Sequence, residues 1–458
     1  MVRSMLLLTF AGSAAAYADD AVAGKRFWGQ WRGPAANGVA PDAHPPVEWS
    51  EQKNIRWKIE LPGHGHSTPI VWGDRVYVQA AVVANGEKPQ VDAAKENERD
   101  GGSAGGQAPG GDRPGRGRGR KPPPTDRHRF VLIALDRATG KTVWQKTLRE
   151  EVPHEGSHED GSLAPASPLT DGEHIIPFFG SRGLYCLTMT GDLVWEKDLG
   201  DMQTRNAFGE GSSPALHSDT LVVNWDHEAD SFIVALDKAT GSERWRRTRD
   251  EPTSWSTPLI VEDGKRMQVI VSAAKRVRSY DLGSGDLIWE CSGLGANCAP
   301  TPVADDELVY TMSGFRDEAL LAIRYKSAAG DVSGTDAVAW KLSKGTPYVP
   351  SPLLYGGALY FLQKNTGILS CYEAKTGKAH YTQQRLDRIE GVYASPVGAA
   401  DRVYIAGRNG ATCVLKPGKE FEVLAVNKLD DEFSASPSIA GNELFLRGRK
   451  NLYCIAAQ

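Results

Sequence analysis

The sequence predicts an all-β fold: a propeller of eight four-stranded antiparallel blades, closed into a ring by an N-terminal strand that completes the last blade. Three observations predict it. First, a strand–turn–strand unit recurs. Ala134-Leu135-Asp136-Arg137-Ala138-Thr139-Gly140 leads to Trp144, Ala235-Leu236-Asp237-Lys238-Ala239-Thr240-Gly241 to Trp245, Ser279-Tyr280-Asp281 through Gly285 to Trp289, and Cys371-Tyr372-Glu373 through Gly377 to Tyr381. A shorter copy runs from Cys186 through Gly191 to Trp195. Asp and Thr side chains can bond the turn amides, Gly supplies a positive φ, and the aromatic opens the next strand. Second, a small residue before proline recurs at Pro69, Pro168, Pro214, Pro258, Pro302, Pro352, Pro396 and Pro437, at steps of 99, 46, 44, 44, 50, 44 and 41 residues. Four short strands per period of about 45 residues is the pattern of a propeller blade. Third, the chain carries a lone Trp strand, Asn54 to Glu60, with no turn unit before it, and ends on Leu452-Tyr453-Cys454-Ile455 with no Trp strand after it. The two halves complete one blade, which removes an open sheet edge.

Taken in order, residues 1–18 read as a Sec-type signal peptide. Arg3 starts it, Met5 to Phe10 form a short apolar core, and Ala16-Tyr17-Ala18 is a cleavage site. A periplasmic or secreted protein is expected, and the apolar run is too short to span a bilayer. No cysteine lies in this leader, so a lipid anchor is not expected. Residues 19–53 form an extension, with Phe27-Trp28-Gly29-Gln30-Trp31-Arg32-Gly33-Pro34 expected to pack across the disc as a plug or strap. The propeller occupies 54–458, with an insertion at 82–128 inside the first blade. That insertion holds Gly101-Gly102-Ser103-Ala104-Gly105-Gly106 and an Arg-Gly run from Arg113 to Arg120, lacks apolar periodicity and reads as a disordered, solvated loop.

The net charge of −4, with 24% charged residues, points to neither nucleic acid nor a membrane surface as partner. A monomer is expected. Of the six cysteines, Cys186, Cys371, Cys413 and Cys454 fall in third strands and read as small buried hydrophobes. Cys291 and Cys298 share a loop and are either free or bonded to each other.

The repeat unit resembles the pyrroloquinoline-quinone-like (PQQ-like) repeat family of eight-bladed propellers. Its Ala-x-Asp-x-x-x-Gly-Lys-x-x-Trp pattern looks like that family's tryptophan-docking motif. The resemblance covers nearly everything after residue 27. The family includes quinone-dependent dehydrogenases and non-catalytic scaffolds such as the assembly factor BamB. The dehydrogenases commonly cover their quinone with a vicinal cysteine pair; here no two cysteines are adjacent, and no C-x-x-C-H haem site exists. The resemblance therefore implies a binding or scaffolding propeller with no cofactor expected. The alternative is a PQQ-dependent alcohol or sugar dehydrogenase with calcium.

Within a blade, the run into strand one and the loop after strand two share the face of the central funnel. Cations recur after strand two: Arg182, Arg276, Arg316, Lys364, Arg408 and Arg447. Converging, they form a cationic mouth that attracts a protein, peptide or polysaccharide ligand. Trp225, Trp255, His64 and His66 are further candidates on that face. The loop into the second blade, His154-Glu155-Gly156-Ser157-His158-Glu159-Asp160, matches H-E-x-x-H. That motif needs a helix to bring both histidines to one face, and Pro153, Gly156 and Gly161 oppose one. The segment reads as a polar loop, with His154, His158, Glu159 and Asp160 as ligands if a metal binds. The G-x-S-x-G match at Gly101 to Gly105 lacks the strand and helix of a nucleophile elbow and reads as chance.

Overall fold

The computed structural model describes residues 26–84 and 123–457; the signal-peptide segment and 85–122 lie outside them. Eight sheets form eight blades. The first blade is Ile70–Trp72, Arg75–Val83, His128–Asp136 and Thr142–Glu151, and the next six follow in chain order with the same up-and-down pairing. The eighth is Ser438–Ala440, Glu443–Arg447 and Asn451–Ala456, with Ile55–Glu60 as its outer strand. Trp57 lies opposite Cys454, so the ring is closed by joining the two ends of the propeller. The hairpin ladder of the first blade runs out to Val83 opposite His128. The ends of the segment expected to be a loop at 82–128 are therefore paired strand.

The turn chemistry follows the sequence pattern. Asp136 Oδ1 accepts from Thr139 N at 2.9 Å, Asp237 Oδ1 from Thr240 N at 2.9 Å and Asp281 Oδ1 from Ser284 N at 2.9 Å. The glycine closing each turn has positive φ, as at Gly140 (72°) and Gly241 (70°). Each such glycine lies against the tryptophan of the preceding blade. A Cβ on Gly140 would meet the Trp57 ring at 2.7 Å, and one on Gly241 the Trp195 ring at 2.8 Å. The indole N–H then donates to the turn: Trp57 to Arg137 O (2.8 Å), Trp195 to Lys238 O (2.8 Å), Trp245 to Leu282 O (2.8 Å) and Trp340 to Ala374 O (2.9 Å). One residue thus buries apolar area and satisfies a carbonyl between blades. The core likewise lies between blades, with Val76, Val131 and Leu135 of the first packed in one cluster with Leu444, Tyr453 and Ile455 of the eighth.

The fifth blade departs from the pattern. It lacks the Asp-x-x-x-Gly turn, and Gly330–Asp331 instead adds a parallel fifth strand to the fourth blade, opposite Trp289 and Glu290. Trp289 accordingly donates to Gln268 Oε1 of its own blade at 3.0 Å. Cys291 and Cys298 are both buried and unbonded. Cys186, Cys371, Cys413 and Cys454 are buried strand residues, and burial pushes the Cys186, Cys371 and Cys413 thiols up to about 12.

Candidate functional site: the axial funnel

A cavity of about 780 Å³ sits on the propeller axis, and all eight blades line it. Its floor is a ring of hydroxyls at the residues preceding the marker prolines, all of which but Thr68 line the cavity. A residue before proline is held extended, which fixes the direction of its N–H and side chain. Thr68 N donates to Ser167 Oγ (2.9 Å), Ser167 N to Ser213 Oγ (2.9 Å) and Ser213 N to Thr257 Oγ1 (3.0 Å). Thr301 N donates to Ser351 Oγ (2.9 Å), Ser351 N to Ser395 Oγ (2.9 Å) and Ser395 N to Ser436 Oγ (2.8 Å). The ring is interrupted between Thr257 and Thr301, where Trp31 Nε1 donates to Thr301 Oγ1 at 3.1 Å, and between Ser436 and Thr68, where the Thr68 hydroxyl instead donates to Ser436 O at 3.2 Å. The sequence signal was present, because all eight pre-proline residues are Ser or Thr; "small" understated it.

The extension closes the far side. Its backbone pairs with inner strands, Val71 N to Trp28 O at 2.8 Å and Ala40 N to Gly398 O at 2.9 Å. Arg32, 1% exposed, donates to the carbonyls of Pro352 (2.6 Å) and Pro396 (2.7 Å), directly after the hydroxyl ring. Burial lowers its pKa to about 9. Trp31 is the part of the plug that lines the cavity.

Of the residues singled out by sequence, His66, His158, Glu159, Asp160, Trp255 and Arg316 line the cavity; His64, His154, Arg182, Trp225, Arg276, Lys364, Arg408 and Arg447 do not. The expected cationic ring does not converge as free charge, because most of its members are neutralised by near neighbours. Arg182 is buried and paired with Glu210 at 2.8 Å, Arg276 with Asp331 at 2.9 Å, Lys364 with Glu318 at 3.5 Å and Arg408 with Asp160 at 2.6 Å. Arg447 is buried against Ser67 and Gln79. The cavity lining carries Glu159, Asp160 and Glu210 as well as Arg205 and Arg316, so the funnel is mixed in charge rather than cationic. Trp225 is 1% exposed and stacks on Phe232 inside the core. Half-buried Phe208, Phe315, Tyr348 and Tyr393, which the sequence reading passed over, supply aromatic wall together with Trp255.

His158, Glu159 and Asp160 bring their ligand atoms within 4.8 Å of one another, but His154 is not among them. Its Nε2 bonds Met202 O at 2.7 Å. The segment is not helical, which is what separates the two histidines. His158 Nδ1 accepts from Asp160 N at 3.1 Å. Asp160 in turn takes Arg408 at 2.6 Å and the Tyr393 hydroxyl at 3.0 Å. Burial, then Asp160, pushes Tyr393 up to about 12. Asp160 thus ties the loop of the second blade to the seventh across the funnel mouth.

Two of the three lining carboxylates, Glu210 and Asp160, are held by Arg182 and Arg408, and no cysteine lines the cavity among the described residues.

The family model described as outer membrane protein assembly factor BamB matches residues 128–383, more than half of the chain. The chain belongs to this family. One similar BamB-family protein, the outer membrane protein assembly factor BamB of Yersinia pestis, is 23% identical over 327 residues, covering 61% of this chain and 78% of that one. The beta-alanine-activating enzyme of Drosophila melanogaster is 22% identical over 265 residues, 54% of this chain but 25% of its own length. Among solved structures, the quinohemoprotein alcohol dehydrogenase of Comamonas testosteroni aligns over 97% of this chain and 84% of its own, with a TM-score of 0.62 at 10% identity. That last likeness is one of fold, and fold alone does not carry activity.

Proposed function

We propose that this BamB-family chain is a binding or scaffolding propeller acting in the periplasm or outside the cell, with its ligand held in the axial funnel. The ligand is a protein, peptide or polysaccharide segment narrow enough to enter from one face. One observation carries the reading: a cavity of about 780 Å³, floored by Trp31 and a hydroxyl ring and walled by half-buried aromatics. Concave sites that combine aromatic walls with a few convergent polar groups are where ligands bind. Among the described residues, no helix is long and apolar enough to cross a membrane.

The second reading is a quinone-dependent oxidoreductase, favoured by likeness of fold to the alcohol dehydrogenase and opposed by the arginine-held carboxylates. The two are separated by adding pyrroloquinoline quinone and calcium to the purified protein and running a dye-linked assay on alcohols and aldoses. The binding reading expects no turnover; turnover above the quinone-free control overturns it.

A further inference from the structure

One wall of the funnel, built by the runs into the fourth, fifth and sixth blades and the loop after the second strand of the fifth, has polar groups with nothing to bind. Trp255 is locked in place, its indole N–H on Gly209 O at 2.7 Å and its backbone N–H on Cys298 O at 2.9 Å. Phe315 and Tyr348 pack with ring centroids 5.1 Å apart. Asn297 is 2% exposed and lines the cavity; its Nδ2 reaches the Tyr348 hydroxyl only at 3.5 Å, and its Oδ1 has no partner among the described residues. A buried amide oxygen left unpaired is costly, so it marks a place where a ligand donor belongs. Arg316 is exposed over the Phe315 ring at 5.4 Å and, unlike Arg182, Arg276 and Arg408, makes no ion pair among the described residues. Beneath them, the hydroxyls of Thr257 and Thr301 accept from Ser213 N and Trp31 Nε1, which leaves each O–H free to donate into the cavity.

The wall recognises through side chains, not backbone. The inner strands open on prolines, which carry no N–H, and the Thr301 amide in this wall is taken by Ser351 Oγ, so the wall offers little backbone for an extended peptide to pair with. Rigid aromatic faces, an amide and hydroxyls that both donate and accept suit the C–H faces and hydroxyls of a pyranose. A planar guanidinium suits a carboxylate.

We propose that the wall formed by Trp255, Asn297, Phe315, Arg316 and Tyr348 is a subsite for an acidic saccharide, with sugar rings against the aromatics and a carboxylate at Arg316. This rests on the funnel being the binding site and names its ligand class. The test is calorimetric titration of the full chain with uronate tetrasaccharides (galacturonate, glucuronate and mannuronate), with maltotetraose as the neutral sugar and tetraglutamate as the acidic peptide. At least one uronate is expected to bind more tightly than both comparison ligands. Arg316→Gln and Asn297→Ala should each weaken it about tenfold, equivalent to about 1.4 kcal/mol. Arg276→Gln, whose cation is paired with Asp331 away from the cavity, should leave it unchanged. Arg316 is exposed, so its variant reports even if Asn297→Ala fails to fold. No uronate binding, or binding indifferent to Arg316→Gln, overturns the proposal. If tetraglutamate binds instead and loses affinity in Arg316→Gln, the saccharide falls while the funnel reading stands. If Arg316→Gln changes the binding of no probe, the subsite falls, and the funnel reading is then decided by crosslinking from within the cavity.

Discussion

Histidines withdrawn from water resist protonation, and two of them stand at the entry to the first blade. Burial, then the nearby Arg447 and Arg449, lowers His64 to about 4; burial, then His64 and Arg447, lowers His66 to about 3. Both values lie below the unfolded value of about 6.5. The unfolded chain therefore binds more protons in acid, and the stability these residues contribute is complete above about pH 6.5 and lost as pH falls toward their folded values. Each histidine that stays neutral steepens the loss by up to about 1.4 kcal/mol per pH unit. His66→Gln should flatten the fall in unfolding free energy between pH 6.5 and 4.5; an unchanged slope would show that His66 is not buried neutral. Arg32 makes a second residue-scale test. Arg32→Met leaves the Pro352 and Pro396 carbonyls without their donor and should cost about 1–3 kcal/mol in denaturant unfolding. A neutral result would remove the plug from the axis. Neither role could be read locally. Trp225 ends the second strand of the third blade and Trp255 lies in the run into the fourth, yet one stacks on Phe232 in the core and the other lines the cavity. The difference lies in which loops pack beside them, and this is not encoded in the residue or its spacing.

At the scale of elements, the strand Ile55–Glu60 carries the most weight. It brings Trp57 to the Arg137 carbonyl and the Gly140 turn of the first blade while pairing with the last. Trp57→Ala should cost about 3–5 kcal/mol, as expected for truncating a buried aromatic, and should lower stability across the whole domain. Local fraying detected by hydrogen exchange, with global stability unchanged, would contradict ring closure. This closure was legible because a lone Trp strand and an unfinished last blade each lack the other's half. The fifth blade was not legible in the same way. Its turn unit is missing, and the Gly330–Asp331 strand that replaces it pairs with a different blade, an arrangement that no short period announces. The hydroxyl floor lies between these cases: its residues recur visibly, but their bonds run from blade to blade and become apparent only when the ring is assembled.

At the scale of the molecule, repetition explains both what the sequence revealed and where it misled. The turn, tryptophan and proline patterns repeat because every blade must solve the same packing problem, so the architecture was readable. Cations recur after strand two as well, but most have a private solution: Glu210 for Arg182, Asp331 for Arg276 and Asp160 for Arg408. Charge at one register is therefore not charge at one place, and a funnel built from eight unlike loops has a mixed character that composition does not convey. The central claim is that this propeller meets its ligand at the funnel. It is tested most directly by placing a photoreactive residue at position 348, within the funnel, or at position 193, on the outer strand of the second blade where Leu193 is 55% exposed. Irradiation in cells that make the protein should give an adduct from position 348 and none from 193. An adduct from position 193 alone would place the partner on the rim of the disc and contradict the account.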